Sequence, residues 1–245
     1  MHRVVATLAA VVFAAAAFAE NFGPLVGKSY GWGDDAVLVF LHGDVSRGGP
    51  ATYHEQVMSA MAPPNGGITA IALLRPGYNN GWNTSPGNNF ERWDQYTSDN
   101  NDLVAQALQF IRDANPDRPL VVTGHSGGAA QLAAVIGRYP GIVDTAILVS
   151  CPCHFTDWRR GFNRQLIRSA DQSPEMHVDG IDPATRIVVI TGALDDNTTP
   201  ALAEDYASRT LARGIDTRLL IVPGADHWND VLIAVVKEEM TEALQ

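Results

Sequence analysis

The chain has 245 residues, 46% hydrophobic and 18% charged, a balance that suits one globular domain and is too apolar for a disordered chain. Its formal net charge is −10, and its 17 Lys and Arg residues form no cluster able to track a phosphate backbone. Nucleic acid and anionic membrane surfaces are therefore not expected as partners.

At the N-terminus, His2 and Arg3 precede an apolar run, Val4 to Phe18, that closes on Ala17-Phe18-Ala19. A positive start, an apolar core and a small-x-small site together predict a secretory signal peptide over residues 1–19. The run falls short of the ~20 residues that span a bilayer, so no stable membrane insertion is expected after cleavage. The expected destination is a periplasm or the cell exterior, with residues 20–245 forming one domain.

Within that domain, the Gly-rich stretch Asn21 to Gly33 has room for one short antiparallel pair. Ala36 to Leu41 (AVLVFL) and Ile68 to Leu74 (ITAIALL) read as buried strands. Asp99 to Asp113 follows with Leu103, Ala107, Leu108 and Ile111 at helical spacing. Leu120 to Thr123 is a further strand that runs into Gly124-His125-Ser126-Gly127-Gly128. The small apolar stretch Gly127 to Gly137 reads as a helix buried against a sheet. Thr145 to Val149 and Arg186 to Thr191 are strands, Pro200 to Arg213 a helix with Pro in its opening turn, Thr217 to Val222 the last strand, and Trp228 to Ala243 the last helix. This alternation predicts an α/β fold, a mostly parallel central sheet flanked by helices on both faces. After the strand 145–149, residues about 151–185 are rich in Arg, His, Asp and Pro and read as a small cap-like insertion.

The insertion opens on Cys151-Pro152-Cys153-His154. In an oxidising compartment these cysteines can pair, although so short a ring is conformationally restricted. A three-ligand cluster with His154 is the competing arrangement. Without a second Cys/His pair at ligand spacing it makes a poor zinc site, and neither a metal nor a cofactor is expected.

Chemistry concentrates at Ser126. A serine hydroxyl needs a base within reach, a group to orient that base, and donors for an oxyanion. A nucleophile on a sharp strand-to-helix turn also needs small neighbours, which Gly124, Gly127 and Gly128 provide. The string follows a predicted strand and precedes a small-residue helix, the context that gives it meaning.

On these residues the chain resembles the α/β-hydrolase superfamily over nearly its whole length after the signal. The resemblance implies the chain order nucleophile, acid, histidine. Asp195 and Asp196 follow the strand RIVVIT where the acid loop of that superfamily belongs. His227, in Gly224-Ala225-Asp226-His227, follows TRLLIV where its histidine loop belongs. The run Gly192 to Asn197 resembles the acid loop of dipeptidyl-peptidase-type hydrolases, which favours Asp195 over Asp196. Asp157, after the preceding strand, is the alternative acid used by some members. Asp226 is read as a turn residue.

For the oxyanion hole the resemblance points to the backbone N–H groups of Gly127 and of Asp44, in the loop His42-Gly43-Asp44. The Asp44 carboxylate must then point away, and Arg47 is the partner expected for it. Arg75-Pro76-Gly77-Tyr78 resembles a structural turn of the superfamily. Asn79 to Trp93, with Trp82 and Trp93, is a candidate substrate entrance, and Phe155, Trp158 and Phe162 are candidates for a pocket wall.

The expected activity is hydrolysis of carboxylic esters through Ser126, Asp195 and His227 and an acyl-enzyme, without cofactor. A peptide or amide substrate is the second reading, and a non-catalytic binding module the third.

Overall fold

A computed structural model describes residues 20–62, 66–93, 95–160 and 168–245. The expected signal peptide, residues 1–19, lies outside them, as does Phe162. The chain forms one eight-stranded sheet: β1 (Glu20–Phe22), β2 (Leu25–Tyr30), β3 (Ala36–Leu41), β4 (Ile68–Leu73), β5 (Leu120–His125), β6 (Thr145–Val149), β7 (Arg186–Gly192) and β8 (Thr217–Val222). Their order across the sheet is β1-β2-β4-β3-β5-β6-β7-β8. Strands β3 to β8 run parallel, and β1 and β2 add an antiparallel edge, with Tyr30 opposite Ala70.

Alternation of side chains divides the core between the two faces of this sheet. Val37, Val39 and Leu41 of β3 face one way, with Val122, Leu148 and Val189, beneath helices α2 (Ser98–Ala114), α3 (Gly127–Arg138) and α5 (Pro200–Ala212). Leu38 and Phe40 face the other way, with Val121, Ile147 and Val188, beneath α1 (Tyr53–Met61) and α6 (Asp230–Glu242). The central strands are buried on both faces, so they read as continuous apolar runs. Each fully buried Val, Leu or Ile contributes about 1.5–3 kcal/mol of transfer free energy.

Helix starts follow local chemistry. Thr97 caps α2 by accepting from Asn100 N, and Asn229 caps α6 by accepting from Leu232 N. The α6 cap places the helix start two residues later than the sequence pattern suggests. Helix α1 is not among the expected elements, although Val57, Met58 and Met61 follow helical spacing on its buried side.

The insertion after β6 holds α4 (Phe155–Arg160) and two short 3₁₀ turns, Ala170–Gln172 and Pro174–Gly180. Cys151 and Cys153 form a disulfide with their Cα atoms 5.0 Å apart, which removes both thiolates from any metal site. Among the described residues no group of His, Cys, Asp and Glu could hold a metal ion, and no helix is long and apolar enough to cross a membrane.

Strand order reverses at β3: the chain passes from β3 to β4 on one side, then returns through α2 to β5 on the other. A crevice opens at the carboxyl ends of strands where such a reversal occurs. The loops after β3 and β5 meet there.

Candidate active site

Ser126 stands between β5 and α3 with φ 52° and ψ −118°, a backbone region costing on the order of 1–3 kcal/mol for a residue with a side chain. Packing holds it there. Its N–H donates to Val149 O at 2.8 Å, and its carbonyl accepts from Ala130 N at 3.0 Å. A Cβ on Gly128 would lie 2.2 Å from Leu41 O, and one on Gly124 would lie 2.5 Å from Gly128 O. The glycines are required because strand and helix backbones touch.

The loops after β7 and β8 bring the other expected residues to this turn. Ser126 Oγ lies 3.0 Å from His227 Nε2, and His227 Nδ1 lies 2.9 Å from Asp195 Oδ2 and 3.1 Å from Oδ1. The Asp195 side chain is fully buried. Its oxygens also accept from Asn197 N, Thr198 N and Thr198 Oγ1 at 3.0, 2.9 and 2.7 Å. Burial alone would raise the Asp195 pKa. The hydrogen bond and charge of His227, with the donors of Thr198, outweigh burial and lower it to about 2.

Of the two candidate acids, Asp195 is the one whose carboxylate touches His227. Asp196 is exposed at the rim of the cavity. Asp157 accepts from Arg160 at 2.7 Å and lies 3.5 Å from His154. Asp226 accepts from Trp228 N in its turn, as expected.

Gly127 opens α3, and its N–H and that of Asp44 have no hydrogen-bond partner among the described residues. Two free donors beside the Ser126 hydroxyl, one at a helix N-terminus, suit a developing negative charge. The partner of the Asp44 carboxylate differs from expectation: it is Arg75, not Arg47. Asp44 Oδ1 accepts from Arg75 Nη1 at 2.9 Å, and Oδ2 accepts from Tyr96 Oη at 2.5 Å. Arg75 is wholly buried and also donates to His42 O and to Gln131 Oε1. Arg47 is exposed at the cavity rim and forms no ion pair among the described residues. The Asp44 carboxylate fills the space where a Gly127 Cβ would stand, 2.0 Å away, so Gly127 too is set by a close approach.

These groups open onto a cavity of about 710 Å³. Trp93 and Trp158 line it, whereas Trp82 is 92% exposed and does not. Phe155 and Trp158, on α4 of the insertion, pack with Tyr96 and Leu202, and the Trp158 indole donates to Asn197 Oδ1 at 3.3 Å. That bond turns the Asn197 amide N–H₂ toward His227 Nε2, 3.3 Å away.

Comparison with known proteins fits this geometry. Residues 35–227 match the family described as Serine aminopeptidase, S33 (Hydrolase_4), a span from just before β3 to the histidine itself. The chain belongs to the S33 serine aminopeptidase family. It is a serine hydrolase with the α/β-hydrolase fold. No curated protein sequence matches the chain.

Among solved structures, an a/b serine hydrolase without lid from Xanthomonas campestris is similar, with TM-score 0.61 and 17% identity over 94% of this chain and 93% of that one. The monoacylglycerol lipase of Paleococcus ferrophilus has TM-score 0.64 and 14% identity, over 89% and 99%. The acylaminoacyl peptidase of Pyrococcus horikoshii has TM-score 0.66 and 14% identity over 89% of this chain, which spans only 39% of that one. At these identities the likeness is one of fold.

Three residues of this S33 member's site escape a reading of its sequence. Arg75, Tyr96 and Tyr53 reach the site from elements far along the chain. Of the three, only Arg75 lies in a recognisable string, Arg-Pro-Gly-Tyr, which resembles a structural turn. An arginine directly after an apolar buried strand is itself a signal, because such a charge needs a buried partner.

Proposed function

We propose that this S33-family protein hydrolyses carboxylic esters through an acyl-enzyme on Ser126. The observation that carries the reading is the 3.0 Å contact of Ser126 Oγ with His227 Nε2 at the base of an open cavity. His227 takes the Ser126 proton as Oγ attacks the ester carbonyl. The resulting oxyanion lies between the N–H groups of Gly127 and Asp44. Asp195 orients the imidazole and stabilises its charged form. His227 then returns the proton to the leaving alkoxide, and water, activated by the same imidazole, releases the acid and restores Ser126.

A peptide substrate is the second reading, favoured by the family's description. Release of an N-terminal residue calls for a carboxylate to meet the free α-ammonium. Asp44, which lines the cavity, is already engaged with Arg75 and Tyr96, and the exposed Asp196 at the rim is the carboxylate that such a substrate would meet. The charged start and apolar run of residues 1–19 support export of the enzyme to a periplasm or the medium.

A fluorophosphonate probe and a substrate panel test this reading. Ser126 is expected to label, and p-nitrophenyl acyl esters are expected to turn over at least tenfold faster than aminoacyl-anilides. Turnover of the anilides alone would transfer the assignment to the peptidase, and a folded protein that takes no label would end the hydrolase mechanism.

A further inference from the structure

The residue before the nucleophile, His125, and a tyrosine of α1 form a hydrogen-bond chain that joins the loops on either side of Ser126. His125 Nε2 lies 3.1 Å from the backbone carbonyl of His227. A carbonyl only accepts, so Nε2 carries the proton and Nδ1 is left as an acceptor. Tyr53 Oη sits 2.6 Å from that Nδ1 and must donate to it. The same Tyr53 oxygen accepts from Gly43 N at 2.5 Å. One directed chain therefore runs from the Gly43 N–H through the Tyr53 hydroxyl and the His125 ring to the His227 carbonyl. Burial, reinforced by the nearby His227, lowers the His125 pKa well below its ordinary value, which keeps the ring neutral and its tautomer single.

Both ends of the chain are parts of the proposed machinery. Gly43 directly precedes Asp44, whose N–H is one oxyanion donor, and His227 supplies the base. Three strand spacings separate β5 from β8, ~14 Å of sheet, so pairing within the sheet alone fixes the histidine loop poorly against the elbow. Ser150 Oγ donates to the same His227 carbonyl at 3.1 Å, and the Trp228 ring lies against His125 with centroids 4.2 Å apart. A Cβ on Gly43 would come within 2.9 Å of His125 Nδ1 and 3.1 Å of Tyr53 Oη, so the chain leaves no room for a side chain there.

We propose that Tyr53 and His125 are positioning residues that lock the oxyanion loop and the His227 loop into one register around Ser126. The hydroxyl of Tyr53 is committed to His125 and does not serve the oxyanion itself. This inference rests on the ester-hydrolase reading above. It goes further by assigning work to two residues outside the nucleophile, base, acid and oxyanion donors.

The test uses the full chain and p-nitrophenyl acetate. Tyr53→Phe is expected to lower kcat about 10- to 100-fold with KM within about twofold, because a misplaced catalytic group costs rate more than binding. His125→Gln retains an N–H for the His227 carbonyl and is expected to stay within about fivefold of wild type, whereas His125→Leu loses about 100-fold. The double variant Tyr53→Phe/His125→Leu should lose no more than the larger single loss, as links of one chain do. Nitrogen-15 NMR of the wild type should find His125 protonated on Nε2 alone. A proton on Nδ1 would overturn the proposal whatever the variants do. So would normal kcat in folded Tyr53→Phe and His125→Leu, in a protein whose wild type labels with fluorophosphonate. A wild type that takes no label would fail the hydrolase reading first, and the positioning role with it.

Discussion

The carboxylate of Asp44 stands beside the N–H groups assigned to the oxyanion, and it is tolerated there because Arg75 and Tyr96 take up its two oxygens. Its removal acts first on stability. In Asp44→Asn, Arg75 keeps a full charge at 0% exposure with its counter-ion gone. Breaking a buried pair costs roughly 3–5 kcal/mol. Asp44 itself is 18% exposed, so the lower end applies, about 2–3 kcal/mol after screening. Urea unfolding of Asp44→Asn should show that loss, and an unchanged midpoint would mean that the pair carries little weight. Such partnerships are hard to read in a linear chain. Arg75 lies 31 residues from Asp44 and Tyr96 lies 52, so neither spacing belongs to any local pattern. Ser126, Asp195 and His227 are legible for the opposite reason: each lies within five residues of the end of a strand whose apolar run announces it, in the order the resemblance requires.

The elbow between β5 and α3 sets the reach of the site, and its tolerance for change is small. Gly128→Ala puts a methyl group 2.2 Å from the Leu41 carbonyl, a backbone atom of a central strand that has nowhere to go. Overpacking of this kind costs about 3 kcal/mol or more. At ~2–4 °C per kcal/mol for a domain of this size, Tm should fall by roughly 6–12 °C. A thermal melt within 2 °C of wild type would show that the strand and helix separate more easily than their packing implies. Strands buried on both faces declare themselves as apolar runs, and for that reason β3, β5, β6 and β7 are legible from sequence; β8 is half-exposed and is legible from its apolar Leu219 to Val222 alone. Helix α1 was missed because its stripe is short and opens on the polar residues Tyr53, His54, Glu55 and Gln56. The insertion was recognised by composition, but its 3₁₀ turns have no periodicity to read.

Across the whole molecule, buried histidines add to the response to acid. His42, His54 and His125 are buried, and burial is the leading cause that lowers the pKa of each, to about 3 for His54. Unfolding exposes these rings and lets them bind protons near pH 6.5. The stability they contribute is therefore complete above about pH 6.5 and declines as the pH falls toward the folded values. Asp195 adds to the loss only lower, between its ordinary value and about 2. With three protons taken up, the slope approaches about 4 kcal/mol per pH unit. Urea midpoints measured from pH 7.5 to 4.5 should show this decline, and His54→Leu should flatten it by about one proton. A midpoint level through pH 5 would mean that the rings protonate without unfolding.

Ser126 and His227 are 101 residues apart, and the histidine comes last of Ser126, Asp195 and His227. Under the proposed mechanism the elbow, the loop after β3 and most of the sheet therefore emerge during synthesis well before the base. An unfinished chain would then carry a dormant serine, and hydrolysis would begin only once β8 has docked and closed the circuit. Turnover would thus report on completion of the molecule, and a cut upstream of residue 227 that releases the last strand is expected to silence it.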